Sequence, residues 1–188
     1  MSFLRLPGAR RRLSRGERAG VPLEPGERIL TWGRDAGGRL VVATGTRLLV
    51  PTEPATSPGR HARSGGIPRW DPLPWHRMSR AQWDRTSMRF VIDVIDEVSG
   101  HVDTRLIGMQ DESRLPETVR ERVMSTIVLT RHVKLMGRYG ARIVARRVPA
   151  ESEPEWQLIL DPGLDPGDPD VRERAEAALD DVRREAPL

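Results

Sequence analysis

MRFVIDVIDEVSGHVDTRLIGMQDESRLPETVRERVMSTI, residues 88–127, changes its apolar period partway along. Met88, Phe90, Ile92 and Val94 alternate with more polar or outward positions, Ser99 and Gly100 turn the chain, and Val102, Thr104 and Leu106 alternate again. Successive side chains of a strand point to opposite faces, so a period of two predicts two antiparallel strands, each with one buried face. From Leu115 the spacing lengthens. Leu115, Val119, Val123 and Ile127 recur every four residues with Arg120, Glu121 and Arg122 between them, and Pro116 stands in the first turn, where a missing N–H costs nothing. The spacing predicts an amphipathic helix of about 15 residues whose apolar stripe covers the sheet.

Upstream, ILTW (29–32) and LVVAT (40–44) flank the turn-forming RDAGGR, and RLLV (47–50) follows Gly45 and Thr46, so three short strands are expected. Residues 51–66, PTEPATSPGRHARSGG, are rich in Pro, Gly, Ser and Thr, hold no apolar residue larger than alanine apart from proline, and are expected to be a disordered loop. IPRW (67–70) and DPLP lead into WHRMSRAQWD (75–84), expected as a strand with a bulge. That makes six strands in near-meander order before the helix. Downstream, ARIVARRV (141–148) and EWQLIL (155–160) predict a hairpin. Asp168 as N-cap and Pro169 at the first helical position open a last helix with the stripe Val171, Ala175, Ala178, Leu179 and Val182. The expected fold class is α+β: an antiparallel sheet or partly open β-barrel with a covering helix, then a terminal β-hairpin and C-terminal helix. Residues 1–26, broken by prolines and glycines, are expected as a flexible basic arm, 27–132 as the sheet and helix, and 133–188 as the hairpin and helix packed on the same domain.

With 188 residues the chain suits one domain with appendages. It has no cysteine, which removes disulfides, thiolate zinc sites and cysteine nucleophiles together. Phe3 and Leu4 are followed at once by Arg5 and Pro7, and no apolar run is long enough to span a bilayer, so a cytoplasmic location, at most peripheral to a membrane, is expected. The net charge of +4 hides a polarity along the chain. Residues 1–18 carry six arginines against one glutamate, residues 151–188 carry four arginines against twelve acids, and the middle is basic. Lys134 is the single lysine.

The run from Glu27 to about Arg131 resembles bacterial pleckstrin-homology-like and GRAM-like domains. The resemblance is carried by Thr46, Arg47, Leu48 and Leu49, then by Pro74, Trp75 and His76 continuing to Ala81, Trp83 and Asp84, and by the helix after the sheet. The whole chain is similar in layout to uncharacterised actinobacterial proteins. The resemblance implies a scaffold without an active site, used for lipid headgroups, peptides or protein partners. It differs in having six expected strands rather than seven, and in the further hairpin and helix.

The sequence holds no G-x-S-x-G, H-E-x-x-H, P-loop or G-x-G-x-x-G pattern, so no enzyme class is indicated, and no catalytic residue, cofactor or metal is expected. His76 with Asp71 or Asp84 is the only acid–base pairing suggested, and core packing competes with it. The run DPGLDPGDPD (161–170) spaces Asp161, Asp165, Asp168 and Asp170 like oxygen ligands, but Pro166 falls where a calcium loop needs glycine, and turn formation is the simpler reading. Five tryptophans stand against one tyrosine and two phenylalanines. Trp70 and Trp75 bracket the proline-rich DPLP and, with Arg69 and Arg77, are the expected contacts for a protein partner. The expected function is therefore a non-catalytic binding or adaptor domain. One alternative is attachment to anionic lipid through Arg5, Arg10, Arg11, Arg12, Arg15 and Arg18. Nucleic-acid binding is a further alternative that the acidic C-terminal segment disfavours.

Overall fold

A computed structural model describes residues 12–52, 69–95, 102–111, 113–148 and 153–186. Strands β1 (Ile29–Arg34), β2 (Leu40–Thr44), β3 (Arg47–Thr52) and β4 (Arg69–Pro74) form one antiparallel sheet in that order. A single 3-10 turn at Trp75–Arg77 then carries the chain into a second antiparallel sheet, β5 (Met78–Asp84), β6 (Arg89–Ile95) and β7 (Val102–Gly108). The expected strand at 75–84 is thus divided. Its first residues make the corner between sheets, and its bulge is the register shift between Met78 and Arg80.

Among the described residues seven strands therefore precede the helix, not six. The missed one, β4, runs straight through DPLP. Proline lacks the N–H that an interior strand must donate, but β4 is an edge strand, where one side of the backbone has no ladder to complete. Pro51 and Thr52 belong to β3; the rest of the expected loop lies outside the described residues.

The two sheets share one core. Val41, Ala43 and Leu48 from the first meet Phe90, Ile92 and Ile107 from the second, with Trp75 and Met78 at the corner between them. Leu115, Val119 and Val123 of the covering helix close it, as their spacing predicts. The sheets also touch where Asp35 bridges Met109 and the Ala36 N–H donates to Gly108 O at 2.8 Å. Among the described residues they do not close into a barrel.

Ahead of β1, Ser14 and Glu17 form a reciprocal cap on a short helix, α1 (Arg15–Ala19). Of the arm expected at 1–26, residues 1–11 lie outside the described residues, α1 has no buried residue, and the chain is buried against the first sheet at Val21. Val21 joins Val42 and Leu49 in a second apolar cluster on the outer face of the first sheet, flanked by Leu23, Trp32 and Trp70. Glu27 locks this lead-in: its carboxylate accepts from Thr44 Oγ1 and Thr46 Oγ1, both at 2.6 Å, and from Arg47 Nη2 at 2.8 Å. Because both faces of the sheet are covered, Val41, Val42 and Ala43 are all fully buried, which is why β2 reads as a continuous apolar run.

The covering helix, α2 (Leu115–Ser125), is 11 residues long and stops at Thr126. Ile127 begins another strand, β8 (Ile127–Met136), which pairs with β9 (Tyr139–Arg146), itself paired with β10 (Glu155–Leu160). The expected terminal hairpin is therefore a three-stranded sheet, and His132 lies on β8. Gly137, at φ +56, makes the tight turn between β8 and β9. The last helix, α3 (Pro169–Glu185), begins as expected, with Asp168 Oδ1 accepting from the Asp170 N–H at 2.9 Å. It packs across β8 and β9 through Ala175 and Ala178 against Val133, Leu135 and Ala141. Arg131 pairs with Glu185, and Arg174 donates to Leu135 O, pinning the helix at both ends.

Candidate partner-binding groove

The expected contacts do not come together. Trp75 is only 2% exposed, and its indole N–H donates to Thr44 O at 3.2 Å inside the core. It is a corner-packing residue, and its expected role as a contact is corrected. Trp70 is half-buried under the N-terminal lead-in and donates to Gly20 O at 3.1 Å. Arg69 is exposed on edge strand β4, and Arg77 is half-buried in the 3-10 turn. Of the arm, Arg12, Arg15 and Arg18 are exposed along α1 and its approach, while Arg5, Arg10 and Arg11 lie outside the described residues.

The acid–base pairing also dissolves. Asp84 accepts from the Thr86 N–H and the Ser87 hydroxyl, and these bonds, Ser87's first, hold its carboxyl below the ordinary range. Asp71 faces Arg105 at 3.9 Å. His76 instead approaches Glu155, at 3.8 Å from Nε2, a residue contributed by the second half of the chain. Asp161 accepts from the Gly140 N–H at 2.8 Å and pairs with His132 at 3.0 Å; the His132 bond is the main reason its carboxyl titrates low. Asp165 turns the chain onto the Gly167 N–H, and Asp168 caps α3. These aspartates serve turns, and among the described residues no group of three or more His, Asp or Glu is placed to hold a metal.

What the structure does assemble is a long open groove of about 1230 Å³ where the two halves of the chain meet. The whole of β10 runs along it. One wall is α3, through Val171, Ala175 and Leu179; the opposite wall is the adjoining ends of β6 and β7, Ile95 and Val102; and Val148, Pro154 and Leu164 complete it. The lining is mostly apolar, yet among the described residues four carboxylates, Glu153, Glu155, Asp161 and Glu176, stand around it against a single guanidinium, Arg172. The groove is acidic in a chain that is basic overall.

Its base is held by a buried polar network. Arg146, 2% exposed, donates from Nε to Gln157 Oε1 at 3.0 Å and from Nη1 to Thr126 Oγ1 at 2.8 Å and Val123 O at 3.2 Å. The last two lie at the C-terminal end of α2, where carbonyls lack helical partners and a cation is favoured. Burial draws the guanidinium's pKa down, and the nearby charge of Glu155 opposes that. Gln157 completes the chain of bonds by donating to His76 O at 2.8 Å. One arginine thus ties the second sheet-and-helix unit to α2, and one glutamine ties it to the corner turn.

Of the residues that the sequence offered for chemistry or partner contact, His76 and Asp161 line this groove among the described residues, beside Val102 and the α3 stripe residues Val171, Ala175 and Leu179, which were read as packing positions. The signal available for it was the acidic C-terminal segment beside the apolar run of β10. No family model, curated protein or solved structure matches the chain.

Proposed function

We propose that this chain is a non-catalytic binding domain of pleckstrin-homology-like layout that engages a protein partner through the groove beside β10. The observation that carries the reading is the groove itself: apolar walls, an acidic rim and, along its length, β10, the edge strand of its sheet among the described residues. An interface needs apolar area in a concave setting with a polar rim, and this site offers both. The order of four strands, three strands and a helix supports the pleckstrin-homology-like layout, with the sheet and helix that follow α2 as an addition that builds the groove.

The test is affinity capture with the full chain and with two surface variants. Val102→Asp places a charge on an apolar groove wall at a residue that is 43% exposed, whereas Met124→Asp does the same on α2, away from the groove. A partner captured by the parent chain and the α2 variant but not by Val102→Asp supports the reading. Capture insensitive to Val102, or lost equally in both variants, counts against it.

Attachment to anionic membrane is favoured by one observation, the exposure of Arg12, Arg15 and Arg18 together at the start of the described chain. Sedimentation with anionic vesicles that disappears when the three are changed to alanine supports that second reading. Equal sedimentation of both forms removes it.

A further inference from the structure

We infer that the partner is an extended segment that adds to the free edge of β10, with apolar side chains in its centre and basic side chains at its ends. The inference rests on the binding reading above and deepens it. Among the described residues the sheet order places β10 at one edge, with β9 as its one strand neighbour, so half of its backbone N–H and C=O groups have no described strand to pair with on the groove side. Strand addition satisfies such groups, and alternate side chains of the added strand then supply specificity.

The faces available to those side chains differ. Leu158 and Leu160 belong to the apolar cluster under α3, and Trp156 lies beneath Arg183 of the same helix. Gln157 points the opposite way, toward His76. An added strand therefore meets an apolar α3 wall on one face and the Ile95–Val102 wall on the other.

Charge selects the ends. Glu153 and Glu155 sit at the start of β10 and Asp161 at its finish, with Glu176 above on α3. A second copy of this chain fits poorly, because antiparallel addition of β10 to β10 brings Glu155 of one copy to the Leu160–Asp161 end of the other, and parallel addition stacks Glu155 on Glu155. Like charges directly opposite destabilise a strand pair, and opposite charges favour it. The groove therefore suits a basic, not a self-complementary, strand.

The probe is a blocked synthetic peptide with a Val-Thr-Val-Thr-Val centre and two arginines at each end, titrated into the full chain. Two versions control it, one with glutamates for the arginines and one N-methylated on alternate amides of one edge. The arginine peptide is expected to bind and to slow hydrogen exchange of the groove-facing β10 amides about tenfold or more. The glutamate and N-methylated versions are expected to fail. The exposed double variant Glu153→Arg/Glu176→Arg, with an unchanged unfolding midpoint, is expected to weaken binding about fivefold and to lower its salt dependence.

Equal binding of the N-methylated peptide overturns strand addition, and equal binding of the glutamate peptide overturns the basic-end requirement. No protection of β10 at saturating peptide overturns the inference as a whole. Concentration-dependent protection of β10 without peptide assigns the edge to a second copy, and loss of protection on deleting residues 1–11 assigns it to the chain's own N-terminus; either also overturns it. If the peptide fails while Val102→Asp still abolishes capture of a partner, the groove reading stands and only the strand-addition account falls.

Discussion

Arg146 is the side chain on which the joint between the two halves depends. Replacing it by methionine keeps much of the volume but leaves Gln157 Oε1 without its donor in a buried setting, and removes the guanidinium from the end of α2, where Val123 O keeps only the Thr126 hydroxyl and N–H. A loss of about 2–4 kcal/mol in urea unfolding is expected, and a change below about 0.5 kcal/mol would mean the network adds little. Nothing in the sequence marked this residue. Arginine is the common basic residue here, and its burial is set by a helix end twenty positions away, which no local pattern reveals. Trp75 and Trp70 were read alike for the same reason, since both flank DPLP and only the packing of the corner separates them. At Glu27, burial alone pushes the carboxyl up, but the bonds from the Glu24 N–H, Thr44, Thr46 and Arg47 outweigh it and hold the pKa at about 2, below its ordinary 4.5. A depressed folded value stabilises the protein above the unfolded pKa, and that contribution is lost as pH falls from about 4.5 toward 2. Glu27→Gln should therefore be less stable than the parent at pH 7 and approach it near pH 2. A gap between the two that stays constant across this window contradicts the assignment.

Among the elements, those with a clean period were readable from the sequence: β6, β7, α2 and α3 all lie where alternation, four-residue spacing or a cap placed them. Two strands were not. In β4 the prolines read as breakers, although an edge position tolerates them. In β8 the alternation of Ile127, Leu129, Val133 and Leu135 is interrupted by Arg131, and no glycine or proline separates it from α2, so the helical period carried over it. α3 has its own test because it forms one wall of the groove. Asp168→Ala removes the side-chain acceptor from the Asp170 N–H, and a loss of about 1 kcal/mol is expected, with faster exchange in the first turn of the helix. Unchanged stability would show that Pro169 alone suffices to start it. No helix among the described residues is long and apolar enough to cross a membrane.

At the scale of the whole molecule, two units share one base. The four-stranded and three-stranded sheets enclose a core under α2, and the second three-stranded sheet with α3 is fastened to it through Arg146 and Gln157. The charge polarity legible in the sequence becomes spatial, because the acidic C-terminal segment supplies all four of the carboxylates that line the groove among the described residues. The groove itself was not legible, since it is bounded by β10, α3 and the ends of β6 and β7, and their adjacency is a property of the tertiary fold. The claim that most depends on this arrangement is that the β10 edge is open to a partner. Residue-resolved hydrogen exchange on the dilute full chain tests it directly. An open edge predicts that alternate amides of β10, those not donating to β9, exchange far faster than their neighbours and than the amides of β9. Uniform protection along β10, equal to that of β9, would mean that the edge is already covered and would contradict the account.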